Sequence, residues 1–289
     1  MAQAIRRGFW LSGRGLVNIR ARLDNPMHVF EISFPGTFLD HADRDWIARI
    51  QTFLRLLEDQ FTDAVVALNL FETEQARLLD ELHARGQKET DKEEEPFRHT
   101  LEQNILEEVG EEKFFRMYPV ILHFIELEMR RQSRESGQMP HEYQRRLLWI
   151  YAHAYVYALD SFHKVLENLT KERDRPNTIE KELTKFRAAF PHLKGIRDSA
   201  HHLEDRSLGR DRRGNPLKLE PIDNGIVHAP GGGVLLLSVL EGNRLWYTLE
   251  DGSHGELAIS HDNIAIAAEV FQSVINAFRW KGRPRLIPS

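Results

Sequence analysis

The sequence predicts a mainly α-helical protein, α+β overall: a helical bundle with a β-meander inserted towards its C-terminal end and a small hairpin at its N-terminus. Three observations predict it. From Asp40 to Arg213 apolar residues recur largely at spacings of three and four, the period of a buried helix face. From Gly214 to Ile259 glycine-bearing turn pairs punctuate short runs of branched and aromatic residues, as in hairpin strands. The 289 residues are 41% apolar and 29% charged, a balance that supports a buried core.

The N-terminal stretches GLVNIRARL and MHVFEISF alternate apolar and polar residues around Asp24-Asn25-Pro26, which reads as a hairpin or two edge strands. From Asp40, the row Trp46, Ile50, Phe53, Leu54, Leu57 and Phe61 marks a helix that Asp40 or Asp43 can cap. It continues through Leu68 and Phe71 to about Gly86. The acidic, apolar-free QKETDKEEEP that follows reads as a solvated loop. Helices are expected over Phe97–Val109, over Lys113–Arg134 with a bend or entry at Pro119, and over His141 to about Asn168. The last is apolar on more than one face, as suits a central helix. Asn177 and Glu180 have capping-box spacing ahead of a helix to Phe190. Pro191 opens a further helix to about Gly209. Strands are expected over Leu217–Ile222, Ile226–His228, Val234–Leu240, Leu245–Leu249 and Glu256–Ile259. Ser260 caps a final helix to Phe278, and the basic tail KGRPRLIPS is expected to be loose. The chain thus divides into an extended segment 1–39, a helical region 40–139, a helical core of 140–213 with 260–280, and the inserted meander 214–259.

Composition and motif absences exclude several chemistries. There is no cysteine, so disulfides, thiolate metal sites and cysteine nucleophiles are excluded, and the chain suits a reducing, cytoplasmic setting. No phosphate-binding Walker loop, zincin pair, Glu-x-x-His ligand pair or G-x-S-x-G elbow occurs. No cofactor and no metal are expected, and no apolar run reaches membrane-spanning length. The net charge of -5 means that any nucleic-acid site is a local patch rather than a global field.

The stretch from Pro191 to Arg213, PHLKGIRDSAHHLEDRSLGRDRR, concentrates the chemistry. On a helix, Asp198 and His202 form an i, i+4 pair, so the carboxylate can orient the imidazole and leave its second nitrogen free to exchange a proton. Arg197 lies about 140° from His202 around such a helix. Two copies meeting across a two-fold axis would bring these side chains together. Arg206, Arg210, Arg212 and Arg213 are candidate phosphate ligands. Cleavage of RNA by its own 2′-hydroxyl needs only a base and a cation. An ordinary surface helix with ion pairs accounts for the same spacing.

The run Arg197, Asp198, Ser199, Ala200, His201 and His202 resembles the signature of the HEPN superfamily, an arginine followed by a polar residue, three more residues and histidine. The resemblance covers roughly 143–211 and perhaps the last helix. It implies a HEPN-like helical bundle that dimerises with both motifs at the interface, and a metal-independent endoribonuclease of toxin–antitoxin or defence type, with RNA and an antitoxin or other protein as partners. By position, His202 would be the acid/base, Arg197 would stabilise the phosphorane and Asp198 would orient; His201 is the alternative histidine. Some toxin members carry Tyr where this chain has Glu204. Other members are non-catalytic, and a helical dimer binding a protein or nucleotide is the alternative expectation.

Overall fold

A computed structural model of the protein describes residues 27–87, 95–223 and 227–288. The expected strand GLVNIRARL, the Asp24-Asn25-Pro26 turn, most of the acidic loop and the Asn224-Gly225 turn lie outside these residues. Among the described residues the protein is mainly helical with small antiparallel sheets, α+β overall as expected. Strands β1 (Ile32–Phe34) and β2 (Phe38–Leu39) precede helices α1 (Arg44–Gln87), α2 (Glu95–Val109), α3 (Glu111–Arg116), α4 (Tyr118–Glu135), α5 (His141–Leu169), α6 (Thr178–Ala189), α7 (Leu193–His201) and α8 (Leu203–Ser207). Strands β3 (Ile222–Asp223), β4 (His228–Ala229), β5 (Val239–Glu241), β6 (Arg244–Thr248) and β7 (His254–Ala258) follow, then α9 (His261–Asn276), β8 (Trp280–Lys281) and β9 (Arg285–Ile287).

Two compact units divide the chain, one from residues up to Thr73 together with those from Trp149 onward, the other from Glu74 to Leu148. In the first, α1 buries Ile50, Leu54, Leu57, Phe61, Ala64, Leu68 and Phe71, spaced alternately four and three apart. That spacing keeps all seven on one face. Phe61, Phe162 and Phe186 join α1, α5 and α6, and Phe271 of α9 packs its ring 5.7 Å from Phe61 and 5.9 Å from Phe162. The second unit has a smaller core of Phe114, Ile121 and Ile125, with Leu101, Ile105 and Met129 packed against it. There the helix expected from Lys113 breaks at Met117 into α3 and α4, with Pro119 in the first turn of α4. No helix among the described residues is long and apolar enough to cross a membrane.

The caps divide between expectation and correction. Asp43, not Asp40, caps α1: its Oδ1 accepts from the amides of Asp45 (2.9 Å) and Trp46 (3.1 Å). Ser260 caps α9 by accepting from Asn263 N. Asn177 does not cap α6, because its own backbone is already helical (φ -61°, ψ -21°) and its side chain makes no capping bond. Glu180, the expected partner, is instead engaged by Arg175 at 3.2 Å.

The meander forms with β5, β6 and β7 in sequence order, turning at Gly242-Asn243 and Asp251-Gly252. Strands β3 and β4 make a separate pair, and the stretch Leu217–Pro221 forms no strand. The tail is not loose. Strand β9 pairs antiparallel with β1 (Ile32 opposite Ile287) and β8 with β2 (Leu39 opposite Trp280). Arg285 lies 3.8 Å from the Phe34 ring centre and pairs with both Glu58 carboxylate oxygens at 3.2 and 2.6 Å. These pairings satisfy main-chain groups of β1, β2, β8 and β9, a gain that no local pattern in a short basic tail announces. Phe34 and Ile32 are thereby buried.

Candidate functional site

Helix α7 carries the motif and packs on β6 and β7. Leu193, Ile196 and Ser199 recur at helical spacing and form its buried face. Ser199 donates its hydroxyl to the Thr248 carbonyl at 2.9 Å, tying α7 to the end of β6. Gly195 allows this approach: a Cβ there would lie 3.1 Å from two carbons of Leu249.

The helix does not run to Gly209 as expected. It stops at His201, and His202 has φ -109° and ψ 43° before the short α8 begins. The cause lies downstream, in Arg206. This residue is 2% exposed, with Nη1 donating to the Arg210 carbonyl at 2.7 Å and Nε 3.5 Å from Ser199 Oγ. Drawing its guanidinium inward requires the chain to turn after His201. The calculated 140° separation of Arg197 and His202 on a continuous helix therefore no longer applies.

Arg197 is held by two carboxylates. Its Nη1 lies 2.7 Å from Asp198 Oδ1, and its Nε lies 3.0 Å from Asp160 Oδ2, at ion-pair distance but not aligned for a hydrogen bond. Asp160, on α5, is 2% exposed, and the same Oδ2 takes Lys164 Nζ at 2.6 Å. Its Oδ1 is buried without a hydrogen-bond partner. Two cations thus balance two anions around one buried oxygen, an arrangement that fixes the guanidinium in place. Tyr157, one turn before Asp160, borders this cluster. Burial pushes its phenol pKa up, while the Arg197 charge opposes that rise.

The expected Asp198–His202 side-chain pair does not form. Asp198 turns to Arg197, and His202 is joined to it only through the main chain, His202 N to Asp198 O at 3.0 Å. The His202 ring is half-exposed, with Nδ1 3.8 Å from Glu204 Oε1. His201 is exposed and lies against Tyr157, ring centres 4.9 Å apart. His202, Glu204 and Asp205 also offer ligand atoms within 4.8 Å of one another on an exposed turn.

The four arginines separate. Arg206 is spent inside the fold, so its guanidinium does not reach solvent as a phosphate ligand must. Arg212 pairs with Glu250 at 2.9 Å. Arg210 and Arg213 are exposed on the loop that Asp211 organises. Asp211 accepts from Asn215 Nδ2 (2.9 Å), Asn215 N (2.8 Å) and Arg213 N (2.8 Å), and these bonds, Asn215's foremost, hold its pKa below the usual carboxylate value. A shallow depression of about 430 Å³ connects Asp198 with Arg212 and is lined also by Lys194, Glu250 and Asp251. The motif and part of the arginine run therefore share one open surface of mixed charge.

Asp160 and Lys164 are the site residues that sequence reasoning missed. The signal was present: a lone carboxylate inside YVYALDSF, between residues destined for the core, has to meet a cation. Comparison with family models, curated proteins and solved structures finds no match for this chain. The HEPN resemblance rests on the motif from Arg197 to His202 and its helical setting.

Proposed function

We propose that the protein is a HEPN-like, metal-independent endoribonuclease that cuts RNA by attack of the 2′-hydroxyl. The observation that carries this reading is an arginine fixed by Asp160 and Asp198 on α7, with the half-exposed His202 just past the end of the same helix. In the reaction His202 takes the proton of the 2′-hydroxyl, the 2′-oxygen bonds to phosphorus, and the bond to the 5′-oxygen breaks, leaving a 2′,3′-cyclic phosphate. Arg197 stabilises the negative charge on the phosphoryl oxygens, and its fixed orientation lowers the reorganisation needed as that charge grows. The leaving oxygen needs a proton, which the second copy's histidine supplies if two motifs face each other in a homodimer. Arg210, Arg212 and Arg213 would position the backbone. A toxin or defence setting with a protein inhibitor follows from the resemblance alone.

One observation favours a second reading, a non-catalytic helical dimer that binds a protein or nucleotide partner. Both carboxylates at Arg197, with Glu204 beside His202, oppose a phosphate at this surface. The experiment that separates the two is incubation of a mixed RNA pool in EDTA with wild type, His202→Ala and Arg197→Ala. The nuclease reading expects cyclic-ended products from wild type and a loss of rate of at least about a hundredfold in both variants. Intact RNA in all three favours the binding module. Cleavage that appears only when a divalent cation is restored would turn attention to the His202–Glu204–Asp205 cluster.

A further inference from the structure

Helices α1 and α5 leave an open groove of about 480 Å³ between them. Small side chains along it keep it open: Ala67 of α1, and Ala154 and Ala158 of α5. Val66, Leu70 and Ile150 add exposed apolar surface. A largely apolar cleft with a few polar groups is the usual form of a small-molecule site. Five polar tips line this one, Gln60 and Asp63 from α1 and Tyr151, Tyr157 and Ser161 from α5. No other described residue engages any of the five through a side-chain hydrogen bond or ion pair, so each can bond a ligand.

Three observations identify the occupant as a nucleobase. The first is charge. Among the described residues that line the groove, Asp63 carries the one formal charge and no lysine, arginine or histidine is present. A phosphate is repelled there, and a neutral group is not. The second is the pair of tyrosines. Unpaired RNA bases are recognised by stacking on aromatic rings and by hydrogen bonds to their edges. The third is continuity. Tyr157 lines the groove and also lies against His201, ring centres 4.9 Å apart, where the Arg197 charge acts on its phenol. A nucleotide can therefore set its base in the groove and its phosphate at Arg197. Asp63 then chooses among the bases. An ionised carboxylate only accepts, and guanine presents two adjacent donors, N1–H and the N2 amino group. Adenine and cytosine set a single amino donor beside a ring acceptor that the carboxylate repels. Uracil sets one N–H between two carbonyls.

We propose that this groove holds a guanine base of single-stranded RNA, its ring against Tyr157 and its N1–H and N2 amino group donating to Asp63, with the phosphate 3′ to that guanosine at Arg197 and His202. The proposal rests on the ribonuclease reading, which puts the phosphate there, and adds a base preference at the cut. Asp63 and Tyr157 act on the base and take no part in proton transfer.

Titration calorimetry of the full chain in EDTA with the 3′-monophosphates of guanosine, adenosine and uridine tests it. Wild type is expected to bind the guanosine nucleotide at least about tenfold more tightly than the other two. Asp63→Asn, a change at an exposed and unpaired position, is expected to abolish that preference. Tyr157→Leu is expected to weaken all three by about tenfold, as loss of a stacking surface does. Equal affinities in wild type, no binding of any nucleotide, or a preference that survives Asp63→Asn overturns the proposal. The ends of RNA cut by wild type separate this inference from the reading beneath it. Products ending in guanosine 2′,3′-cyclic phosphate support both. Cleavage without base preference overturns the groove and leaves the nuclease. Guanosine binding that depends on Asp63, with RNA left intact, supports the groove and removes the nuclease.

Discussion

At the scale of single residues, the buried ion cluster and a neighbouring histidine give the sharpest expectations. Asp160→Ala removes the anion that Arg197 and Lys164 share and leaves Arg197 with Asp198 alone. The loss is expected to be about 3 kcal/mol, the low end for a broken buried pair because both cations reach solvent, read from the urea midpoint. His163 stacks parallel on Phe186 at 5.8 Å and accepts from Arg187 Nε at 3.1 Å. Burial, helped by the Arg187 charge, lowers its pKa below the usual 6.5. As pH falls through about 6.5 the unfolded chain binds a proton that the folded chain resists, so stability drops from there down to the folded pKa. His163→Gln should flatten that limb of the Tm–pH curve, and an unchanged slope would reject the assignment. Asp160 and Asp198 illustrate what sequence can and cannot disclose. Asp160 announced a buried cation by its apolar neighbours, but its choice of Arg197 is a contact between distant segments. The i, i+4 rule paired Asp198 with His202, and a nearer cation won.

At the scale of elements, helices and hairpins with strong local signals are where the sequence placed them. The alternating four-and-three spacing on α1 and the glycine turns between β5, β6 and β7 are local facts, and local facts dominate those elements. The break after His201 is not local. It follows from Ser199 reaching Thr248 and Arg206 turning inward, and no window of sequence around His202 contains Thr248. Strands β8 and β9 escaped notice for the same reason. Their close fit makes a prediction at Gly36, between β1 and β2. A Cβ there would sit 2.5 Å from the Lys281 carbonyl oxygen and 2.9 Å from Trp280 Cβ. Backbone cannot yield as a side chain can, so Gly36→Ala should cost about 1–3 kcal/mol, visible as a lower melting temperature. Ser260→Ala at the start of α9 should cost about 1 kcal/mol by the same measurement.

At the scale of the whole molecule, the homodimer expectation makes activity depend on concentration: RNA cleavage per chain should fall as the protein is diluted through its dimerisation constant, and a rate strictly proportional to chain concentration would argue for a monomeric site. Strands β1 and β2 pair with β9 and β8, and that has a consequence for the order in which the fold closes. Ile32 stands opposite Ile287 although nearly all of the described chain separates them in sequence, so this contact closes a long loop and is costly in entropy until the core between them has formed. Before that closure β1 has an open edge and α1 lacks the Arg285 clamp on Glu58. Weakening these strand pairs should therefore speed unfolding more than it slows refolding.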